Sequence, residues 1–456
     1  MTQSDPQNAL AAIILAAGQG TRMQSDMHKV LHPIAGKPML HHLLDSIMAA
    51  GAQKSVLVVG AKREQVEAAA KDYPVAFAVQ SEQLGTGHAV LQAQTHLQDF
   101  DGDVLACFGD VPMVQADTIA AMQHALNSNA ETACVVLGFR PDDAKAYGRI
   151  IADDEGSISK MVEYKDADEA QRAVNLCNSG LLLARREDMF ALLNRVGNDN
   201  AQGEYYLPDM VMVALSDGRH CAVIECDDWQ VAGVNSRAEL AQVERDWQDR
   251  RREAVMAGGA TLIAPETVWF AADTQIGRDV LIEPNVFFGL GVSVADNVTI
   301  KANCHIEGAS LASGVSVGPF ARLRPGAVLE ENSKIGNFVE MKKATLGKGA
   351  KASHLTYLGD AEVGANANIG AGTITCNYDG YFKYKTEIGE GAFIGSNSAL
   401  IAPVTIGKGA IVAAGSAVTK DIADGALGIV RAQQAEKDDW ASRFNTAMQK
   451  KKEQKS

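Results

Sequence analysis

The sequence predicts two folds in one chain: a Rossmann-like α/β domain, then a helical linker leading into a parallel β-helix of hexapeptide repeats. Three observations predict it. An apolar run opens onto a glycine-rich turn, Ile13-Ile14-Leu15-Ala16-Ala17-Gly18-Gln19-Gly20. Strand-like and helix-like segments alternate through the first half. In the second half an aliphatic or aromatic residue recurs at every sixth position, at Ile276, Ile282, Phe288, Val294, Ile300 and Ile306, and again at Ile388, Ile394, Leu400, Ile406, Val412 and Val418. Each six-residue unit then forms one side of a coil, with that residue inside the prism.

Residues 11–17 read as a buried strand. Leu40, Leu43, Leu44, Ile47 and Met48 have helical spacing between Pro38 and Ala50, with Gly51 as a stop. Ser55–Val59 and Val75–Val79 are strands, Thr86–Leu97 a helix, and Asp103–Phe108 a strand ending at Gly109-Asp110. Such alternation implies a mostly parallel sheet covered on both faces. Ligands bind outside the carboxyl ends of its strands, where Gly18 and Asp110 both fall. Residues 237–257 are rich in Glu, Asp and Arg, with Leu240, Val243 and Trp247 on one stripe, and predict a charged connecting helix that Gly258-Gly259 ends. The domains expected are 1–236, the linker 237–258, and 259–456. The repeat runs from about Thr261 to Asp424, with register breaks near Leu311, near Leu346 and across Cys376–Glu387, where an external loop is expected. Small residues follow many of the aliphatic ones, as in Ile335-Gly336 and Ile394-Gly395, and are expected to permit tight corners. The tail ending in Lys450, Lys451, Lys452 and Lys455 is expected to be disordered.

A chain of 456 residues, 46% apolar, is too long for one ordinary core. Its net charge of -14 argues against nucleic-acid or membrane-surface binding. Seven scattered cysteines without CxxC pairs fit free thiols in a reducing cytoplasm. No basic residue precedes the N-terminal apolar run, so no signal peptide is expected, and no stretch reaches the ~18 apolar residues of a membrane helix.

Gly18 and Gly20 let backbone amides approach phosphate oxygens, with Arg22 and Lys29 adding positive charge. Met23 occupies the third glycine position of a dinucleotide fingerprint, and no Gly-Lys-Ser/Thr is present, so neither that motif nor a Walker loop fits. The run Leu15–Met23 with Lys29-Val30-Leu31 resembles the signature of sugar-1-phosphate nucleotidylyltransferases. Gln83-Leu84-Gly85-Thr86-Gly87-His88, Gly109-Asp110-Val111-Pro112, Tyr147-Gly148-Arg149, Val162-Glu163-Tyr164-Lys165, Asn178-Ser179-Gly180, Asn200-Ala201-Gln202-Gly203-Glu204-Tyr205-Tyr206 and Gly233-Val234-Asn235 extend the resemblance over the first half. With the hexapeptide region added, the chain resembles the bifunctional bacterial N-acetylglucosamine-1-phosphate uridylyltransferases/glucosamine-1-phosphate N-acetyltransferases, whose β-helix is left-handed. The resemblance implies that Asp110 and Asn235 hold Mg²⁺ and that Arg22 and Lys29 act on the phosphates. It further implies that Gln80, Gly85 and Thr86 recognise uracil, that Gly148, Glu163 and Asn178 hold the sugar and its N-acetyl group, and that Leu15, Ala16, Ala17, Gly18, Phe108 and Gly109 also belong to the substrate-binding set. Phe108 stands where tyrosine is expected, His28 where proline usually precedes the lysine, and Pro208 where threonine follows Tyr-Tyr-Leu.

His354 lies in Ser353-His354-Leu355-Thr356-Tyr357-Leu358-Gly359. Together with Ala321-Arg322-Leu323-Arg324-Pro325, Asn337-Phe338-Val339-Glu340-Met341-Lys342 and Asn368-Ile369-Gly370-Ala371-Gly372, this looks like the acetyltransferase half of the same family. Acetyl transfer needs a free amine, hence a base near neutral pH, and histidine suits that task. The resemblance implies that His354 is that base and that Arg324, Lys342, Tyr357 and Asn368 bind glucosamine-1-phosphate. Ala371, Asn377, Tyr378, Ser396, Ala414 and Arg431 would line the acetyl-CoA site. It also implies a homotrimer built through the β-helix, and a product that feeds peptidoglycan and lipopolysaccharide synthesis. Two other readings stay open on the residues alone: a single-function nucleotidylyltransferase with the β-helix as an assembly module, and a non-catalytic sugar-nucleotide sensor. A zinc-dependent anhydrase of β-helical fold is rejected, because His305 and His354 are too few for three histidine ligands.

Overall fold

The computed structural model describes residues 9–18, 20–144, 147–200 and 202–455. Residues 1–8, on which the signal-peptide reading rests, and Gln19 and Ala201 of the quoted motifs lie outside them. The chain divides into two compact units between Arg251 and Arg252.

The first unit is built on nine strands: β1 (Leu10–Ala16), β2 (Ala52–Val59), β3 (Val75–Val79), β4 (Asp103–Phe108), β5 (Thr132–Phe139), β6 (Arg149–Ala152), β7 (Ile158–Val162), β8 (Cys177–Arg185) and β9 (His220–Cys226). Their order is β9-β5-β8-β4-β1-β2-β3, with the β6–β7 hairpin attached to β8. β8 is antiparallel to β4 and β5, and the remaining main pairings are parallel. Why β1 is an unbroken apolar run is now plain. Ala11, Ile13 and Leu15 enter one core, while Leu10, Ala12, Ile14 and Ala16 enter the core on the opposite face. The expected 86–97 helix is in fact two pieces, an α-helix at Thr86–Leu91 and a 3₁₀ turn at Gln94–Leu97. Met48, placed on the apolar stripe by spacing, lies on the outer side of its helix and is exposed.

His28, His32, His41 and His42 are packed into this unit. Burial, the largest cause for each, pushes their pKa values down. The folded unit therefore holds neutral imidazoles, whereas the unfolded chain takes up protons below about pH 6.5. More protons bound in the unfolded state means that stability falls as pH falls, from about 6.5 down to each depressed folded pKa. Calorimetry is expected to show the unfolding transition of this unit at lower temperature at pH 5.5 than at pH 7.5. A transition unmoved by pH would count against it.

In the second unit three columns of short parallel strands wind along one axis. Ile282, Ile300, Val317, Ile335, Ala352 and Ile369 fill the interior from the first face. Phe270, Phe288, Ile306 and Leu323 start the second face, and Ile276, Val294, Leu311 and Leu329 the third. The register breaks at Leu311 and Leu346 are units shortened by one residue, and Val363 marks another that spacing did not reveal. At each, a three-residue run turns both ends inward, with Ala309, Ala344 or Ala361 filling the narrower space. The Cys376–Glu387 break is a loop closed by a Tyr378–Lys383 bridge, with Tyr381 and Phe382 exposed at its tip.

The expected role of the small residues needs correction. Gly336, Gly370, Gly389 and Gly395 do not have positive φ; a Cβ on any of them would run into the backbone of the next coil, so they permit close stacking. The left-handed corners belong to other residues, mostly Asn, Asp and different glycines, such as Asn303, Asn366 and Gly372. The repeat also continues past Asp424, with Leu427–Gly428 paired to Ile411–Val412. Beyond it, Trp440–Glu453 is an exposed helix where disorder was expected, its last turn holding Lys450, Lys451 and Lys452 against the negative end of the helix dipole.

Candidate active sites

At the carboxyl ends of β1 and β4 lies a cleft lined by Leu15, Ala16, Ala17, Gly18, Lys29, Gln80, Gly85, Thr86, Phe108 and Asp110. It adjoins a second cleft that shares Thr86, Phe108 and Asp110 and adds Gly148, Glu163, Asn178 and Asn235. The residues expected to take the nucleotide and those expected to take the sugar thus line adjoining clefts that share Asp110. Gly20 has φ of 63°, and a Cβ there would fall 2.6 Å from Lys29 Cβ, so its missing side chain lets Lys29 cross the turn toward the cleft. Lys29 Nζ pairs with the Asp110 carboxylate and donates to Asn235 Oδ1 at 3.1 Å. Val234 N–H donates to Asp110 O at 3.0 Å, which ties the two acceptors together.

That arrangement tests the fit of a metal. A carboxylate and an amide oxygen converge on one cation, and hard oxygen donors suit Mg²⁺. Among the described residues no three His, Cys, Asp or Glu side chains gather as a metal group. One carboxylate plus substrate phosphates is the usual way an Mg²⁺ site of this kind is completed.

Other expected residues behave differently. Arg22 sits exposed on the one-turn helix Thr21–Met23 and lines neither cleft. Gly109 lies behind the wall, its N–H donating to Leu15 O at 3.0 Å. Thr86 accepts from Leu207 N–H at 2.9 Å, and so holds the 205–207 segment against the cleft. Gln80 is buried and donates to Gly85 O at 3.1 Å. Burial, then the charges of Asp209 and Asp166, raises the Glu163 pKa. Gln83, Ser179, Glu204 and Tyr206 also line these clefts. All four stood in the quoted motifs, so the signal was present; Glu239, which accepts from Asn235 N–H at 2.7 Å, carried none beyond its place in a charged helix.

On the β-helix, residues far apart in sequence become a column. The corner after the first face carries His354, Ala371, Ser396 and Ala414 in successive coils. The ladder is continuous: Gly372 N–H donates to His354 O, Asn397 N–H to Ala371 O at 2.7 Å, and Gly415 N–H to Ser396 O at 2.8 Å. The Arg431 guanidinium caps the column on Ala414 O at 2.5 Å. At one coil per step the four members span about 14 Å, and Arg431 extends the line beyond them. His354 Nδ1 lies 2.5 Å from Asn337 Oδ1 in the coil below. On the adjoining second face, Arg324 Nη1 donates to Glu340 Oε1 at 2.8 Å, and Tyr357 pairs with Glu340. Lys342 has its pKa lowered by neighbouring positive charge, first Lys383 and then Arg324. Lys383 is the member of this cationic group that sequence reasoning missed. Asn368 lies on the first face, paired with Lys351. Asn377 donates to Asp360, and Tyr378 is exposed at the base of the loop.

The MobA-like NTP transferase domain matches residues 12–204, and the bacterial transferase hexapeptide (six repeats) matches residues 385–420. The Bifunctional protein GlmU of Novosphingobium aromaticivorans is 66% identical over 447 residues, 98% of this chain and 99% of that protein. That of Sphingopyxis alaskensis is 63% identical over 445 residues, 98% of each. That of Zymomonas mobilis is 57% identical over 443 residues, 97% of this chain and 98% of that protein. The chain belongs to the GlmU family. In GlmU terms its two halves are a nucleotidyltransferase unit and a hexapeptide acyltransferase unit, and each holds its own constellation of candidate residues.

Within this GlmU chain, Gly180 controls the shape of the first site. Its φ is 86°, and a Cβ would fall 2.6 Å from Phe108 Cε2. Because the Phe108 ring walls both clefts, Gly180→Ala must displace it. The expected result is a KM for the sugar phosphate raised by about tenfold, the equivalent of ~1.4 kcal/mol, with acetyl transfer unchanged. Steady-state kinetics of both reactions checks it, and an unchanged KM would remove Phe108 from the sugar wall.

Proposed function

We propose that this chain is a bifunctional enzyme of UDP-N-acetylglucosamine synthesis. Its β-helix acetylates glucosamine-1-phosphate with acetyl-CoA, and its α/β unit then couples the product to UTP and releases pyrophosphate. One observation carries the reading: many of the dispersed residues named by the resemblance, though not Arg22, Asn368 or Asn377, fall into two sets, one around Lys29, Asp110 and Asn235, the other along the His354 column.

In uridylyl transfer a phosphate oxygen of N-acetylglucosamine-1-phosphate forms a bond to the α-phosphorus of UTP, and the bond to pyrophosphate breaks. Both reactants are anions, so positioning and neutralisation of charge are the main tasks. Lys29 supplies one positive charge at the junction of the clefts, and Arg22, on its exposed turn, is available to the triphosphate. Asp110 and Asn235 would hold Mg²⁺, which when bound supplies charge neutralisation on the phosphates. Gln80, Gly85 and Thr86 shape the uracil end; Gly148, Glu163 and Asn178 take the sugar.

In acetyl transfer the amine nitrogen attacks the thioester carbonyl, a C–N bond forms and the C–S bond breaks. His354 removes the amine proton, and CoA leaves as the thiol. The cations Arg324, Lys342 and Lys383 suit the sugar phosphate, with Tyr357 on the same face; Asn368, expected with them, lies on the first face. The column from His354 to Arg431 has the length of an extended pantetheine arm; Asn377 and Tyr378, expected beside it, follow the second face at the next corner. The assignment of residues 1–236 to uridylyl transfer, 237–258 to a linker and 259–456 to acetyl transfer goes with this reading. So does association in threes through the β-helix, supported by the hexapeptide repeat and by the exposed Tyr381 and Phe382. Seven free cysteines fit a reducing cytoplasm, and no described helix is long and apolar enough to cross a membrane.

The test supplies glucosamine-1-phosphate, acetyl-CoA, UTP and Mg²⁺, and follows thiol and pyrophosphate release separately. Both are expected, with pyrophosphate dependent on the acetylated intermediate. Pyrophosphate formed only from added N-acetylglucosamine-1-phosphate, with no thiol released, would leave the β-helix as a scaffold.

A further inference from the structure

From Asn285 to Gly415 each coil turns its first corner through one residue in the left-handed region. Below the His354 column that residue is Asn303, and above it Gly372, Asn397 and Gly415. Three consecutive coils between them break the pattern. Phe320, Phe338 and Leu355 hold φ of 54°, 56° and 50°. A bulky residue in this region costs about 1–2 kcal/mol that glycine escapes. The Asn and Gly corners above and below show that coil geometry does not require the bulk. Nor does the bulk fill the core: the three residues are 48%, 55% and 61% exposed. The Phe320 and Phe338 rings stack on each other with centroids 5.3 Å apart, and Leu355 is the corner of the next coil, directly following His354.

Position along the axis supplies the meaning. From Arg431 toward His354 the corner positions are small: Ala414-Gly415, Ser396-Asn397, Ala371-Gly372. Bulk begins at Leu355, where the thioester carbonyl has to stop for His354 to serve its attack. An acetyl group extends one methyl beyond that carbonyl, and every further methylene needs space that Leu355, backed by Phe338, already fills. We propose that Leu355 and Phe338 are the acyl-length stop of the transfer site, selecting acetyl over propionyl and longer thioesters. The inference rests on the reading of the column as the acyl-CoA track. The bond changes are the same for every chain length: C–N forms, C–S breaks, and CoA leaves as the thiol.

Asparagine already occupies this corner at Asn397, so Leu355→Asn and Phe338→Asn suit the coil, and Leu355→Gly is a second route that also removes the strain. The measurement is kcat/KM of the full chain for acetyl-, propionyl- and butyryl-CoA with glucosamine-1-phosphate. One methylene in an apolar site is worth about 10–200-fold in discrimination, so the propionyl-to-acetyl ratio is expected to rise at least about tenfold in Leu355→Asn and Leu355→Gly. It should rise less in Phe338→Asn and stay at the wild-type value in Phe320→Asn, one coil further from His354. Ratios that stay at the wild-type value in the Leu355 variants, with acetyl transfer intact, overturn the stop and leave the track standing. Equal loss of both substrates together with a changed oligomeric state also overturns it, because Leu355 then serves contact between copies. Wild-type protein that releases no thiol from acetyl-CoA removes the track itself, and the stop with it.

Discussion

Replacing His354 by alanine is expected to slow acetyl transfer by about 10²–10⁴-fold, the usual contribution of a positioned base, and to leave uridylyl transfer at its wild-type rate. His354 Nδ1 lies 2.5 Å from Asn337 Oδ1. An amide oxygen can only accept, so the proton of the neutral imidazole is assigned to Nδ1, and Nε2 keeps its lone pair. The ring is thereby oriented and supplied with one free basic nitrogen, on an exposed corner where substrate can reach it. His354→Gln keeps a hydrogen-bonding side chain but no base near neutral pH, and should be nearly as slow as alanine. Thiol release and pyrophosphate release, measured separately, check both halves. Fast thiol release in either variant would remove His354 as the base, and loss of both activities in folded protein would contradict separate sites.

Asp110→Ala carries the second large effect, a fall in uridylyl transfer of about 10²–10³-fold. Metal-borne neutralisation at phosphate is worth several kcal/mol, and each ~1.4 kcal/mol is tenfold in rate. The substitution has two consequences. It removes the carboxylate proposed for Mg²⁺, and it releases Lys29 from its ion pair, leaving Asn235 Oδ1 as that lysine's remaining partner. Asp110→Asn separates the two, because it keeps an oxygen but no charge; its rate should recover in part at high Mg²⁺. Titration of the rate against Mg²⁺ is the measurement. A full rate at ordinary Mg²⁺ would show that Asp110 is not a ligand.

Much of this was legible before any coordinates. The seven-residue run of β1 is apolar because both of its faces are buried, and that is visible as a sequence pattern. The six-residue repeat exposed its interior column in the same way. Less legible was whatever depended on stacking one coil upon another. Gly336 and Gly370 announced small residues but not their reason, since the atoms they avoid lie a whole coil further along the chain. Lys383 was unreadable because only the folded loop brings it beside Lys342. Arg22 shows the opposite limit: its motif marked it, and local geometry leaves it outside the cleft.

The spacing of the His354 column has a consequence for engineering. Each member is supplied by a different coil, at the same place in that coil, so the prism acts as a graduated rule with one mark about every 4.8 Å. Adding a whole coil between Ala371 and Ser396 would lengthen the carrier track by one graduation and leave the atoms around His354 where they are. Adding a fraction of a coil would instead rotate every later mark onto another face. Reach and chemistry are thus separately adjustable in this half of the molecule, the first by counting turns and the second by changing side chains.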